Sequence, residues 1–129
     1  MKQEIYSIAL IAHDGKKQEM AGFVQANRTL LEKMHLVATA TTGTRIESTG
    51  FIIDKKLSGP AGGDAQIAAM AAEGLLDAVI FFRDPLGKHP HEPDIQMLMR
   101  ICDVHRVPLA TNINSANLIL KGLFYAKET

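Results

Sequence analysis

Short apolar runs alternate along this chain with segments whose apolar residues recur at helical spacing. Four runs stand out, Ile5 to Ala12, Leu36 to Ala40, Ala78 to Phe82 and Val107 to Ala110, with Phe51 to Ile53 as a shorter, weaker fifth. None alternates apolar with polar residues, which predicts strands buried on both faces, as in a parallel sheet covered by helices on each side. Between them, Phe23, Val24, Leu30, Leu31 and Met34 mark a helical region broken near Asn27. Ala65 to Glu73 carries Ile67, Met70 and Ala71 on one face, with Gly74 placed to cap its end. Ile95, Leu98, Met99 and Cys102 predict a helix from about Pro93, and a short last helix is expected over Ser115 to Leu120. This βα order predicts an α/β fold, a doubly wound parallel sheet. No repeat, low-complexity stretch or linker interrupts it, so residues 1–129 are expected to form one domain.

Composition narrows the partners. A chain of 129 residues suits one hydrophobic core. Fourteen Lys plus Arg balance fourteen Asp plus Glu, which argues against the broad basic footprint that nucleic acid or an anionic membrane requires. Any anion must then be held by local groups. The single Cys102 leaves no internal disulfide and makes a reducing cytoplasm the expected location; on an apolar helix face it reads as a packing residue. The run from Ile5 to Ala12 is too short to span a bilayer and lacks a cleavage site after it, so neither signal peptide nor membrane anchor is expected.

The chemistry-bearing residues follow the strands. His13 and Asp14 come after the first run, Thr39, Thr41, Thr42 and Gly43 end the second, Arg83 and Asp84 follow the run from Ala78 to Phe82, and Thr111 and Asn112 the last. In a doubly wound sheet these positions share the carboxyl edge, where ligands bind next to helix starts. Each residue singly also reads as a cap or turn former. Ser58 to Asp64 (SGPAGGD) is a glycine-rich lead into a helix, suited to an anion through close backbone approach, though a plain turn accounts for the glycines too. Asp64 reads as a helix N-cap or as a catalytic acid–base. The helix dipole would lower its pKa and burial in a dry pocket would raise it. Phe81 to Asp94 (FFRDPLGKHPHEPD) gathers Asp84, His89, His91, Glu92 and Asp94. Imidazole beside carboxylate suits acid–base work, and without an HxxxH or HExxH spacing no metal site is expected.

Taken together, HDGKK at His13 to Lys17, TATTG at Thr39 to Gly43, SGPAGGD, FFRDPL with PHEPD, and ATN at Ala110 to Asn112 resemble the motif set of bacterial methylglyoxal synthases, in the same order. The resemblance implies a flavodoxin-like or Rossmann-like three-layer sandwich and a reaction without cofactor or metal, the conversion of dihydroxyacetone phosphate to methylglyoxal and inorganic phosphate. It implies Asp64 as acid–base, with His91, Asp94 and Asp84 as further catalytic groups. Substrate contacts are implied for His13, Lys17, Thr39, Ala40, Thr41, Thr42, Ser58, Gly59 and His91. Ala40 stands where many relatives carry Gly, which removes no donor. A homohexamer inhibited by phosphate is also implied. Two rival classes remain at this point. One is a non-catalytic regulatory domain binding a small phosphorylated ligand, which needs the phosphate donors but not the acid–base set. The other is a signalling receiver domain, which the absence of an acidic pair after the first strand disfavours.

Overall fold

The computed structural model describes residues 5–89 and 91–128, so Pro90 of the PHEPD motif and the two chain ends lie outside the described residues. Five parallel strands form one sheet in the order β3-β2-β1-β4-β5. They are β1 (Ser7–Ala12), β2 (His35–Ala38), β3 (Asp54–Lys55), β4 (Ala78–Phe82) and β5 (Leu109–Ala110). The helices are α1 (Lys17–Ala26), α2 (Arg28–Leu31), α3 (Ala40–Glu47), α4 (Asp64–Ala72), α5 (Glu92–Val104) and α6 (Ile113–Glu128). Of the two strand orders covered by the expectation, this is the first five positions of the Rossmann order rather than the 2-1-3-4-5 order of flavodoxin.

The sheet explains why the apolar runs show no alternation. Ile8, Leu10 and Ala12 of β1 point into one core with Phe23, Val24, Leu31, Ile46 and Leu120, while Ala9 and Ile11 point into a second with Ile67, Ala71, Ile95, Leu98 and Cys102. Every second residue thus meets a different helical layer, and both sets must be apolar. The first layer holds α1, α2, α3 and α6, and the second holds α4 and α5.

Several boundaries differ from the expectation, each for a local reason. The second strand stops at Ala38 because Thr39, extended at φ −67° and ψ 159°, is the N-cap of α3, a helix its Thr- and Gly-rich sequence conceals. Phe51 and Ile53 are buried, but the edge strand forms just beyond them, where Asp54 and Lys55 pair with Val37 and Ala38. Apolar contact anchors this segment and charge blunts the sheet edge. The last strand starts at Leu109, since Pro108 has no N–H to give the ladder and offers only its carbonyl, to Val79 N–H at 2.8 Å. The α1/α2 break falls at Asn27, as expected, where its side-chain amide donates to Phe23 O at 2.9 Å. The final helix is longer than predicted and starts where Asn112 Oδ1 accepts Ser115 N–H at 3.0 Å. Asn112 is therefore a cap. No helix among the described residues is long and apolar enough to cross a membrane.

Candidate active site

The strand order reverses between β1 and β4, and the carboxyl ends of these strands and of β2 open into one cavity of about 380 Å³. His13 enters it from the end of β1, Thr39 from the end of β2, and Asp84 from the loop after β4. Ser58, Gly59 and Asp64 close it from the glycine-rich segment, and His89 and His91 from the lead into α5. Two roomier clefts exist, about 430 Å³ at the amino end of β2 and about 480 Å³ beside Arg83, Asn112 and Asn114. Chemistry rather than size sets the smaller one apart. Six buried side-chain polar atoms among the described residues lack a hydrogen-bond partner, and all but Arg83 Nε belong to His13, Asp64, His89 and His91. Each such orphan costs on the order of 1–3 kcal/mol, so their gathering at one cavity marks a place built for a polar ligand.

Asp64 is fully buried and is the first residue of α4. It makes no capping hydrogen bond, and neither carboxylate oxygen has a hydrogen-bond partner. Of the two sequence readings, the capping one is thereby lost. Gly62, at φ 113°, lets the chain make a wide turn over Gly59–Gly63 that delivers Asp64 inward rather than to solvent. Burial raises the Asp64 pKa; His91 opposes this and Asp94 adds to it. The competition between dipole and dryness is thus decided for dryness. His91 Nε2 lies 3.5 Å from Asp64 Oδ2. Gly59 leaves room for this pair, since a Cβ there would stand 3.0 Å from His91 Nε2 and 3.4 Å from Asp64 Oδ1.

His13 is buried and its tautomer is set by its surroundings. Its Nδ1 accepts the Asp84 backbone N–H at 2.9 Å, which places the ring proton on Nε2, the atom left without a partner. Burial, then the neighbouring His89 and His91, lower its pKa to about 4, so the ring is neutral near pH 7. The Asp84 carboxylate is turned back on its own loop, where Oδ1 accepts Leu86 N–H at 3.1 Å.

Cationic and hydroxyl groups complete the wall. Lys17 Nζ donates to Ala12 O at 3.1 Å and to Asp14 Oδ1 at 2.6 Å, leaving one of its three protons for a ligand. That contact holds the exposed Asp14 carboxyl below its usual range. Thr39 and Thr41 line the cavity next to the start of α3. Thr42 lies behind the wall, its Oγ1 accepting Ala12 N–H at 3.2 Å and receiving Thr39 Oγ1 at 3.3 Å. Ala40 also lies outside the lining, its N–H donated to Leu57 O at 3.3 Å, and Asp94 sits in the first turn of α5 behind Asp64. His89, which the sequence gathers with the acid–base cluster but to which no role is assigned, lines the cavity, and so does Lys88, which is not among the expected site residues. The His-Pro-His spacing of residues 89–91 was the available signal for His89; nothing in the sequence marks Lys88. Among the described residues no three His, Cys, Asp or Glu side chains group to hold a metal ion.

Fold and site together define a doubly wound α/β domain with a dry carboxylate–imidazole pair at the switch point of its sheet. Residues 19–111 match the family model described as the MGS-like domain. The chain is 54% identical over 117 residues to the methylglyoxal synthase of Borreliella afzelii, covering 90% of this chain and 92% of that one. It is 57% identical over 117 residues to the methylglyoxal synthase of Geobacillus thermodenitrificans, covering 90% and 81%. The crystal structure of methylglyoxal synthase from Elizabethkingia anophelis superimposes with a TM-score of 0.85 at 42% identity, covering 91% of this chain and 78% of that one. The chain belongs to the methylglyoxal synthase family.

Proposed function

We infer that this protein converts dihydroxyacetone phosphate to methylglyoxal and inorganic phosphate. The observation that carries the reading is the unpartnered, fully buried Asp64 carboxylate facing His91 in a cavity shared with Lys17. A binding module needs the cation and the helix starts, but gains nothing from a buried carboxylate that repels a phosphate.

Asp64 removes a proton from the hydroxymethyl carbon next to the substrate ketone, a task for which its raised pKa makes it a stronger base. The C–H electron pair forms the enediolate double bond, and charge develops on the former carbonyl oxygen. The His13 Nε2–H, held in that tautomer by the Asp84 backbone, and the His91 ring supply hydrogen bonds there. The hydroxyl on the deprotonated carbon passes its proton to the former carbonyl oxygen and becomes the aldehyde carbonyl; the double bond shifts toward the far carbon, whose bond to the phosphate ester oxygen breaks. Lys17, the Thr39 and Thr41 hydroxyls and the backbone at Ser58 and Gly59 receive the leaving phosphate. The enol left behind becomes methylglyoxal by proton return to the terminal carbon. Asp94 acts on this step through its charge on Asp64, Asp84 through its hold on His13, and Thr42 and Ala40 by bracing the wall that carries Thr39 and Thr41.

The same reading places a single domain in the cytoplasm, assembled as a homohexamer that phosphate inhibits as product. The buried thiol of Cys102 and the nearly bare side chains of Ile52 and Leu86, each 94% exposed, are consistent with a reducing compartment and with surface that a neighbouring subunit covers. Incubation of the purified protein with dihydroxyacetone phosphate is expected to yield a dicarbonyl, trapped as its hydrazone, with one phosphate released per turnover. A folded, phosphate-free sample that forms none would end the enzyme reading in favour of the regulatory one. Sedimentation velocity tests the assembly.

A further inference from the structure

His89 packs its ring flat on His13, with centroids 3.6 Å apart and planes inclined by 19°. The His13 ring is thereby fixed from three directions. Asp84 N–H holds its Nδ1 at 2.9 Å, the edge of Phe81 meets it at a centroid distance of 5.1 Å, and His89 covers its face. His89 sits in the loop leading into α5, where its carbonyl accepts Glu92 N–H at 3.2 Å, so the start of that helix anchors the covering ring.

The geometry points to His89 as a positioning residue that clamps the His13 imidazole in the orientation presenting Nε2–H to the substrate; this rests on the reading of the reaction given above. The clamp also governs charge. The titratable and charged groups around His13 are His89 and His91 on the α5 lead, Arg83, Asp84 and Lys88 after β4, and Asp14, Lys17 and Asp64 about the same cavity. The His89 ring covers one face of His13, and burial is the first cause of the lowered His13 pKa, so the stack itself helps to keep His13 neutral. A neutral His13 donates a hydrogen bond from Nε2 without surrendering its proton to the enediolate oxygen.

The test compares His89→Ala, which removes the ring, with His89→Phe, which keeps its face and loses its nitrogens, and His89→Gln, which keeps length and polarity without the face. In His89→Ala and His89→Gln, kcat is expected to fall roughly 10- to 100-fold with a smaller change in KM. The midpoint of His13, followed by imidazole NMR in the wild type and each variant, is expected to rise from about 4 toward its ordinary value of 6.5 in the same two variants. His89→Phe is expected to restore most of kcat and to keep His13 low. An unmoved His13 midpoint with kcat within twofold of wild type in His89→Gln would overturn the clamp. So would a His89→Phe variant as impaired as His89→Gln, because the nitrogen and not the stack would then matter. The NMR titration needs no turnover, so a wild type without activity would end the reading of the reaction while leaving the clamp to stand or fall on the His13 midpoint.

Discussion

At the scale of single residues, Asp64 is held in a state that opposes folding and that the proposed reaction uses. A carboxylate whose folded pKa lies above its unfolded value binds its proton more tightly in the folded chain, so its ionisation opposes folding as pH rises through that range. Asp64→Asn keeps the shape and removes the charge. Turnover is expected to drop by about 10²–10⁴-fold, the usual worth of a positioned general base, while thermal stability at neutral pH rises by roughly 0.5–2 kcal/mol. Steady-state kinetics and a melting curve on the same preparation check both, and a variant that loses stability along with activity would return Asp64 to a structural role. The acid limb of kcat/KM is expected at a pH above the ordinary carboxylate range in the wild type, because protonated Asp64 cannot act as base. The sequence showed this residue and its neighbours but left cap and base undecided, because dipole and burial act on one carboxyl in opposite directions and only the packing around it fixes which is larger.

At the scale of elements, the site is made by turns that place helix starts against strand ends. In the turn over Gly59–Gly63, two glycines are closely approached by other groups. A Cβ at Gly63 would lie 2.0 Å from Leu57 O, and one at Gly59 3.0 Å from His91 Nε2. The two glycines should therefore fail differently. Gly59→Ala meets the end of a side chain that can swing away, so the fold is expected to survive with a kcat roughly 10- to 100-fold lower. Gly63→Ala meets backbone that has nowhere to go, and a loss of more than about 3 kcal/mol is expected in urea denaturation. Equal behaviour of the two variants in both measurements would refute this division. These turns were legible as glycine-rich segments, but α3 was not, because Thr41, Thr42 and Gly43 in its first turn favour other conformations, and Thr42 Oγ1 ties that turn to the end of β1. Thr42 and Ala40 of the expected motif lie outside the cavity lining, bonded to the end of β1 and to Leu57 O. Lys88 escaped notice because an exposed lysine in a loop carries no pattern until the loop is folded over the cavity.

At the scale of the whole molecule, the layered sheet was readable because both of its faces are covered. Ile8 and Leu10 enter one core and Ala9 and Ile11 the other, so burial on both sides wrote uninterrupted apolar runs into the sequence. Strand order was not readable, since the pairing of β1 with both β2 and β4 is settled by which crossovers pack and leaves no local mark. Cys102 offers a way to probe the second layer as a unit. It is fully buried between α5 and the sheet, and burial first, then Asp103, pushes its thiol up to about 11. In the folded protein near pH 8 it should therefore resist an aromatic disulfide reagent for want of both access and thiolate. Because Cys102 shares its core with Ile67, Ala71, Ile95 and Leu98, exposing it requires α4 and α5 to leave the sheet together. Labelling is then expected to track global unfolding, its dependence on urea matching that of the loss of helical circular dichroism. Rapid labelling in native buffer, with secondary structure intact, would show instead that α5 opens by itself, and the His91 and Asp94 carried at its start would share that motion.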